Sequence, residues 1–74
     1  MHHEATVQHD TGEGVLLYPA DAARRIGVAE RTLADWRRRG TGPDWIKVGS
    51  RTVRYPARAL GAWLSERTVR QGGR

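Results

Sequence analysis

Two short apolar patterns on either side of one glycine constrain the fold of this chain more than any other feature. Before Gly27, apolar residues recur at helical spacing and end at Ile26; after it, Leu33 and Trp36 lie three residues apart. Glycine just past a helix end supplies the left-handed backbone that reverses the chain. Ala23 is small enough to let two helices cross closely. The spacing predicts a helix-turn-helix unit; the alternative is an αα-hairpin that binds no ligand.

The bounds of these two helices follow from their end signals. Pro19 suits the first position of a helix, where its missing N–H costs nothing, so we expect the first helix to span Pro19 to Ile26. The second is expected to run from near Glu30 to about Arg39. Its acidic first turn and basic last turn suit the helix dipole, and Gly40 ends it.

A β-hairpin and a third helix are expected next. Residues 45–48 and 52–55 carry β-forming side chains on either side of a glycine-containing turn. Pro56 is expected to block further strand pairing and to start the third helix, whose apolar residues recur at helical spacing: Leu60, Trp63 and Leu64. The predicted fold class is mainly α with a small β-hairpin, a winged helix-turn-helix.

Length and charge define the expected domain. A chain of 74 residues holds one domain, which we place at 15–68 between flexible tails at 1–14 and 69–74. The 13 Lys and Arg outnumber the 8 Asp and Glu, giving a net charge of +5. Residues 1–17 contain three acids and no Lys or Arg, so residues 18–74 carry +8. Such a domain repels itself unless it meets an anion, usually nucleic acid or an acidic membrane.

Several functions are excluded by what the sequence lacks. It has no cysteine, which rules out disulfides, a Cys-ligated zinc site and a thiol nucleophile. All three histidines precede the expected domain, so no serine there has a histidine partner, and we expect no functional metal site. The longest apolar run, residues 15–18, is too short to span a membrane. We therefore expect a cytoplasmic protein that is not an enzyme and uses no cofactor.

The second helix carries the first candidate binding residues, on the face away from its apolar stripe. That face holds Arg31, Asp35 and Arg38, with Thr32 and Arg39 on its flank. In a major groove, Arg31 could donate to guanine, Asp35 could accept from cytosine N4, and Thr32 could touch a phosphate or a thymine methyl. The alternative for Asp35 is an intrahelical pair with Arg31, Arg38 or Arg39.

The hairpin carries the second set of candidates. Arg51 and Thr52 lie at its tip, and Lys47 and Arg54 lie on its strands. An arginine at a hairpin tip can follow the phosphate backbone or enter a narrow minor groove. The alternative is a solvated turn, but the charge of the domain favours DNA. We expect the remaining large aromatic residues in the core rather than in a base-stacking platform: Trp36, Trp45, Tyr55 and Trp63.

Residues 16–64 resemble the small winged helix-turn-helix domain shared by phage excisionases, AlpA-type prophage regulators and, more distantly, MerR-type DNA-binding domains. The segment from Leu17 to Trp36 is similar to the opening of that family, with its Ala-Ala, Gly-Val and Thr-Leu-x-x-Trp elements. Further pieces recur in the family's order: residues 42–49, 53–55 and 60–64. The caps depart from the pattern: Tyr18 and Ala29 stand where Ser or Thr is common, and Ala59 where Asp is common.

The resemblance implies a division of labour on double-stranded DNA. The second helix would enter the major groove, with Arg31, Thr32, Asp35 and Arg38 as groove residues. The hairpin, as the wing, would lie against the backbone or minor groove through Arg51 and Arg54. From the first helix, Arg24 or Arg25 would touch phosphate.

The resemblance also implies a role as an excisionase, a recombination directionality factor. Such a protein binds repeated sites in an attachment region, bends the DNA and directs a phage tyrosine integrase toward excision. Cooperative self-association along adjacent sites would accompany this. Two alternatives stay open: a small transcription regulator of AlpA type, and a protein–protein adaptor that uses the same fold against a partner chain.

Overall fold

Three helices and an antiparallel sheet form the structure, and the predicted fold class is confirmed. The computed structural model describes residues 9–11 and 14–71. In chain order its elements are β1 (His9–Thr11), β2 (Gly14–Leu17), α1 (Pro19–Ile26), α2 (Glu30–Arg39), β3 (Ile46–Lys47), β4 (Val53–Pro56) and α3 (Ala57–Glu66). Helices α1 and α2 form the helix-turn-helix, β3 and β4 form the wing, and α3 closes the domain.

The turn between α1 and α2 has the predicted glycine geometry. Gly27 ends α1 at φ 90°, in the left-handed region, and its N–H donates to the carbonyl of Ala23 at 2.8 Å. The helix starts are uncapped, since neither Tyr18 nor Ala29 makes a side-chain hydrogen bond there. Both helices therefore depend on packing rather than on caps for much of their stability.

Two strands that the sequence did not predict extend the sheet beyond the wing. The strand order is β1-β2-β4-β3, and all neighbours are antiparallel. Leu17 of β2 is the register partner of Tyr55 in β4. No regular structure was expected in residues 1–14, yet β1 and the first residue of β2 fall there. Residues 69–71 of the predicted C-terminal tail form no helix or strand, and the rest of the predicted tails, residues 1–8, 12–13 and 72–74, lies outside the described residues.

The wing differs from its prediction at both strands. Strand β3 contains only two residues, and the wing loop is closed by a hydrogen bond of 2.7 Å from the Val48 N–H to the Thr52 carbonyl. The expectation that Pro56 blocks pairing is wrong, and α3 begins one residue later than expected, with Pro56 as its N-cap. Pro56 is the last residue of β4 and is in register with Leu16. A proline can end a strand because only its own missing N–H is lost to the ladder.

The core lies where the helices meet β2 and β4. Six buried residues from five elements form it: Leu17, Ala22, Ala23, Leu33, Tyr55 and Leu60. Trp36 and Trp63 pack against each other at its edge, with ring centroids 5.6 Å apart. Two predicted core residues are wrongly placed: Trp45 and Leu64 are 39% and 38% exposed. Trp45 precedes β3 and is off its apolar phase, and Leu64 lies two residues before the end of α3.

Replacing Gly42 with alanine is expected to destabilise the fold. Gly42 has φ +84°, and a Cβ there would lie 3.1 Å from two atoms of the Trp36 side chain. Backbone strain and the clash together should lower the free energy of unfolding by about 2 kcal/mol. Urea unfolding measures this value directly.

Gly61→Ala is the matched control for that substitution. Gly61 lies inside α3, and a Cβ there meets nothing within 4 Å. The added helix propensity should raise the free energy of unfolding by roughly 0.5–1 kcal/mol. Equal unfolding midpoints for the two variants would contradict the geometry assigned to the loop after α2.

Candidate nucleic-acid interface

The predicted groove face of α2 is open to solvent. Arg31, Thr32, Asp35 and Arg38 line one shallow concavity on this face, together with Ala34. Leu33, by contrast, is 1% exposed and points into the core. The helix therefore separates a buried apolar face from a charged one, and the charged face is free to meet a ligand.

Asp35 is engaged within α2 itself. Its Oδ1 lies 2.8 Å from Nη2 of Arg38, and its Oδ2 lies 2.8 Å from Nη2 of Arg39. The intrahelical pairing that the sequence left open is thus present, with two of the three expected arginines. Each of these pairs is exposed, so each adds little stability. Their main effect is to reduce the positive charge that Arg38 and Arg39 present, while Arg31 keeps its own.

The wing residues fall into two groups. Lys47, Arg51 and Thr52 are exposed. Arg54 is half-buried: its guanidinium lies 4.3 Å from the centroid of the Tyr18 ring. Its Nη1 also donates to the Val53 carbonyl at 2.8 Å. Arg54 therefore braces the wing against the segment between β2 and α1, while the other wing cation side chains extend into solvent.

The two arginines of α1 also differ in whether the side chain has a partner within the chain. Arg24 donates from Nη1 to Oδ1 of Asp21 at 2.6 Å. Arg25 is exposed, and its side chain has no hydrogen-bond or ion-pair partner within residues 14–71. The structure thus distinguishes the two candidates for phosphate contact that the sequence left equivalent, and it favours Arg25 over Arg24.

Unpaired cations occur on three elements of the described chain. Their side chains share solvent exposure and the lack of any partner within residues 14–71: Arg25 of α1, Arg31 of α2, and Lys47 and Arg51 of the wing. Arg70 has the same two properties but lies beyond α3, outside the motif and the wing. A cation that is not neutralised by its own chain attracts phosphate more strongly than one that is already paired. On the motif and the wing, Arg25, Arg31, Lys47 and Arg51 are therefore the strongest candidates for contact with a polyanion.

Arg37 is a residue that the sequence did not place in the site. Its Nη1 donates to the hydroxyl of Tyr55 at 2.7 Å. Its guanidinium carbon lies 5.7 Å from the centroid of the Trp45 ring. Helical spacing could have distinguished Arg37 from the two arginines that follow it, because Arg37 is four residues after the buried Leu33 and is half-buried, whereas they are exposed. Its partners could not be predicted, because they come from elements later in the chain.

Other classes of site find no support in the described part of the chain. No group of three His, Cys, Asp or Glu residues among the described residues is arranged to hold a metal ion. Within the same residues, no helix has the length and apolarity needed to cross a membrane.

Comparison with protein families agrees with this geometry. Residues 16–68 match a family described as a helix-turn-helix domain. The family includes excisionase-like and AlpA-like small DNA-binding proteins, and its members are generally not enzymes. The match begins in β2 and ends just beyond α3, so it includes the motif, the wing and the closing helix. No curated protein sequence matches the chain significantly.

Arg25→Ala is expected to weaken DNA binding more than Arg24→Ala. The charge of Arg24 is offset by Asp21, whereas that of Arg25 is not. Loss of one phosphate contact should reduce the slope of log K against log salt concentration by about 0.9. Fluorescence anisotropy on duplex DNA over a salt series measures both variants. Equal slopes for the two would show that the Arg24–Asp21 pair does not determine which arginine meets phosphate.

Proposed function

We propose that this chain, which belongs to the helix-turn-helix domain family, acts as an excisionase: a DNA-binding and DNA-bending factor for site-specific recombination. The family match supports DNA binding itself. The observation that carries the proposal is the set of unpaired cations on two different elements, Arg31 on α2 and Lys47 with Arg51 on the wing. Two such elements can hold one duplex at a groove and at the adjacent backbone.

In this proposal α2 reads bases and the wing positions the protein. Arg31 projects from the first turn of α2, where a recognition helix meets base edges, and its guanidinium can donate to guanine O6 and N7. Thr32 beside it is half-buried and reaches a phosphate or a thymine methyl. Lys47, Arg51 and Thr52 follow the backbone or enter the minor groove. Arg38 and Arg39 contribute after they exchange Asp35 for phosphate.

Bending and cooperative assembly complete the proposed role. A wing and a helix that grip the duplex at separate places can stabilise a bent path between them. Repeated sites in an attachment region would then be filled stepwise, and a phage tyrosine integrase would be directed toward excision. The AlpA-type regulator is the second candidate, because the matched family includes both kinds of protein.

DNA binding is expected to depend strongly on salt. With about six phosphate contacts, the affinity should fall roughly a thousandfold between about 50 and 200 mM salt. Fluorescence anisotropy with a labelled duplex measures this change. A DNA affinity that does not change with salt concentration would refute both DNA-binding candidates and would leave the protein–protein adaptor.

Arg31→Ala and Arg51→Ala should have different effects on the sequence preference of DNA binding. Without Arg31, cognate affinity should fall about 5- to 100-fold and base preference should relax at one or two positions. Without Arg51, affinity should fall evenly on cognate and random DNA. Arg70→Ala removes the same charge outside the motif and serves as the control. Equal losses on cognate and random DNA for Arg31→Ala would refute the groove assignment.

A gel-shift titration distinguishes the two DNA-binding candidates. It compares attachment-site DNA near this gene, the gene's own promoter and a shuffled control, with the site permuted along the fragment to report bending. If the protein binds attachment DNA in successive steps and bends it, the result supports the excisionase. An integrase assay then tests whether the protein switches the reaction to excision. Binding confined to the promoter supports the regulator instead.

A further inference from the structure

Helix α2 is joined to the wing by side chains and not by backbone packing. Among the described elements, only α1 brings its Cα atoms within 8 Å of those of α2. Neither wing strand does so, although the loop of residues 40–45 connects α2 to β3 in sequence. The orientation of the helix relative to the wing therefore depends on α1, which contacts both α2 and β4, and on the side chains that cross the gap directly.

Arg37 crosses the gap and contacts the wing at two points. It donates to the Tyr55 hydroxyl at 2.7 Å, and its guanidinium carbon lies 5.7 Å from the Trp45 ring centroid. Tyr55 is 1% exposed in β4, so this acceptor is fixed in the core. Trp45 directly precedes β3. One side chain from the last turn of α2 thus contacts a residue of β4 and the residue just before β3.

We propose that Arg37 is a positioning residue, which fixes the angle between α2 and the wing so that both engage one DNA duplex at once. This inference rests on the proposed DNA-binding function. Arg37 is half-buried, unlike Arg38 and Arg39, which are exposed and paired with Asp35. We name the contact of Arg37 with Tyr55 and Trp45 the Arg37 bridge.

The chemistry of the Arg37 bridge requires arginine. A planar guanidinium can donate in its plane to the Tyr55 hydroxyl while its face interacts with an aromatic ring. A lysine could donate to the hydroxyl but would not present a flat face to Trp45. Arg37→Lys should therefore retain part of the function, and Arg37→Met, which keeps the length without charge or donors, should lose it.

The expected effect on binding follows from the coupling of two contacts. Two linked contacts bind far more tightly than either alone when the link holds them in register. Loosening that link should weaken DNA binding about tenfold. It should also lower the salt slope by about 1–2, because the wing cations Lys47 and Arg51 leave the phosphates.

Tyr55→Phe separates positioning from direct contact, because it removes the acceptor and leaves the charge of Arg37 in place. We expect Tyr55→Phe and Arg37→Met each to weaken binding about tenfold and to lose hydroxyl-radical protection at the wing while groove protection by α2 persists. The double variant should bind no more weakly than the weaker single variant, since both break one contact. Arg70→Ala is the charge-matched control.

Unfolding curves recorded beside the binding data exclude a purely structural effect. A loss of stability alone would lower the unfolding midpoint but leave the salt slope and footprint of the folded protein unchanged, and that result overturns the proposal. Wild-type binding by Tyr55→Phe together with weak binding by Arg37→Met also overturns it, since Arg37 would then contact phosphate directly. If the wild-type chain does not bind DNA, the proposed function and the role of the Arg37 bridge are both refuted. If the wild type binds and both Tyr55→Phe and Arg37→Met bind equally well, only the role of the Arg37 bridge is refuted.

Discussion

The burial of Tyr55 is the constraint on which the rest of the structure depends. Its ring lies in the core at 1% exposure, and its register partner in the sheet is Leu17. A buried hydroxyl without a partner costs about 1–3 kcal/mol, a large share of the roughly 5–15 kcal/mol that stabilises a typical domain. Arg37 supplies the partner from α2. The contact that satisfies the core is therefore also the one that joins the groove helix to the wing.

Local signals predicted the helical motif almost completely. Pro19, Gly27 and Gly40 mark helix ends through interactions within one turn, so the bounds of α1 and α2 can be read from neighbouring residues. The exposed, charged face of α2 was predictable for the same reason, because helical periodicity places Arg31 opposite Leu33. The ion pairs of Asp35 also lie within one helix, and the sequence identified Arg38 and Arg39 among its possible partners.

What the sequence could not predict depends on contacts between distant segments. Strand β2 is stabilised by β4, and nothing near Leu17 specifies that pairing. Arg54 and Tyr18 are also far apart in sequence, so the sequence does not show the stacking of Arg54 on the Tyr18 ring, by which Arg54 braces the wing. Arg37 was classified only by its place near a helix end, because its partner is chosen by the fold.

The placement of the unpaired cations on separate elements, more than the net charge, favours duplex DNA over an acidic membrane. A membrane surface presents mobile charges, so it would bind a flexible set of cations as readily as a fixed set. Here the chain neutralises Arg24 and shares Asp35 between two arginines, and it leaves Arg31 and the wing cations unpaired on separate elements. In the proposal above, the hydrogen bond from Arg37 to Tyr55 holds those elements at a set angle. A fixed angle is useful only toward a rigid polyanion with a groove beside its charged backbone, which a DNA duplex provides.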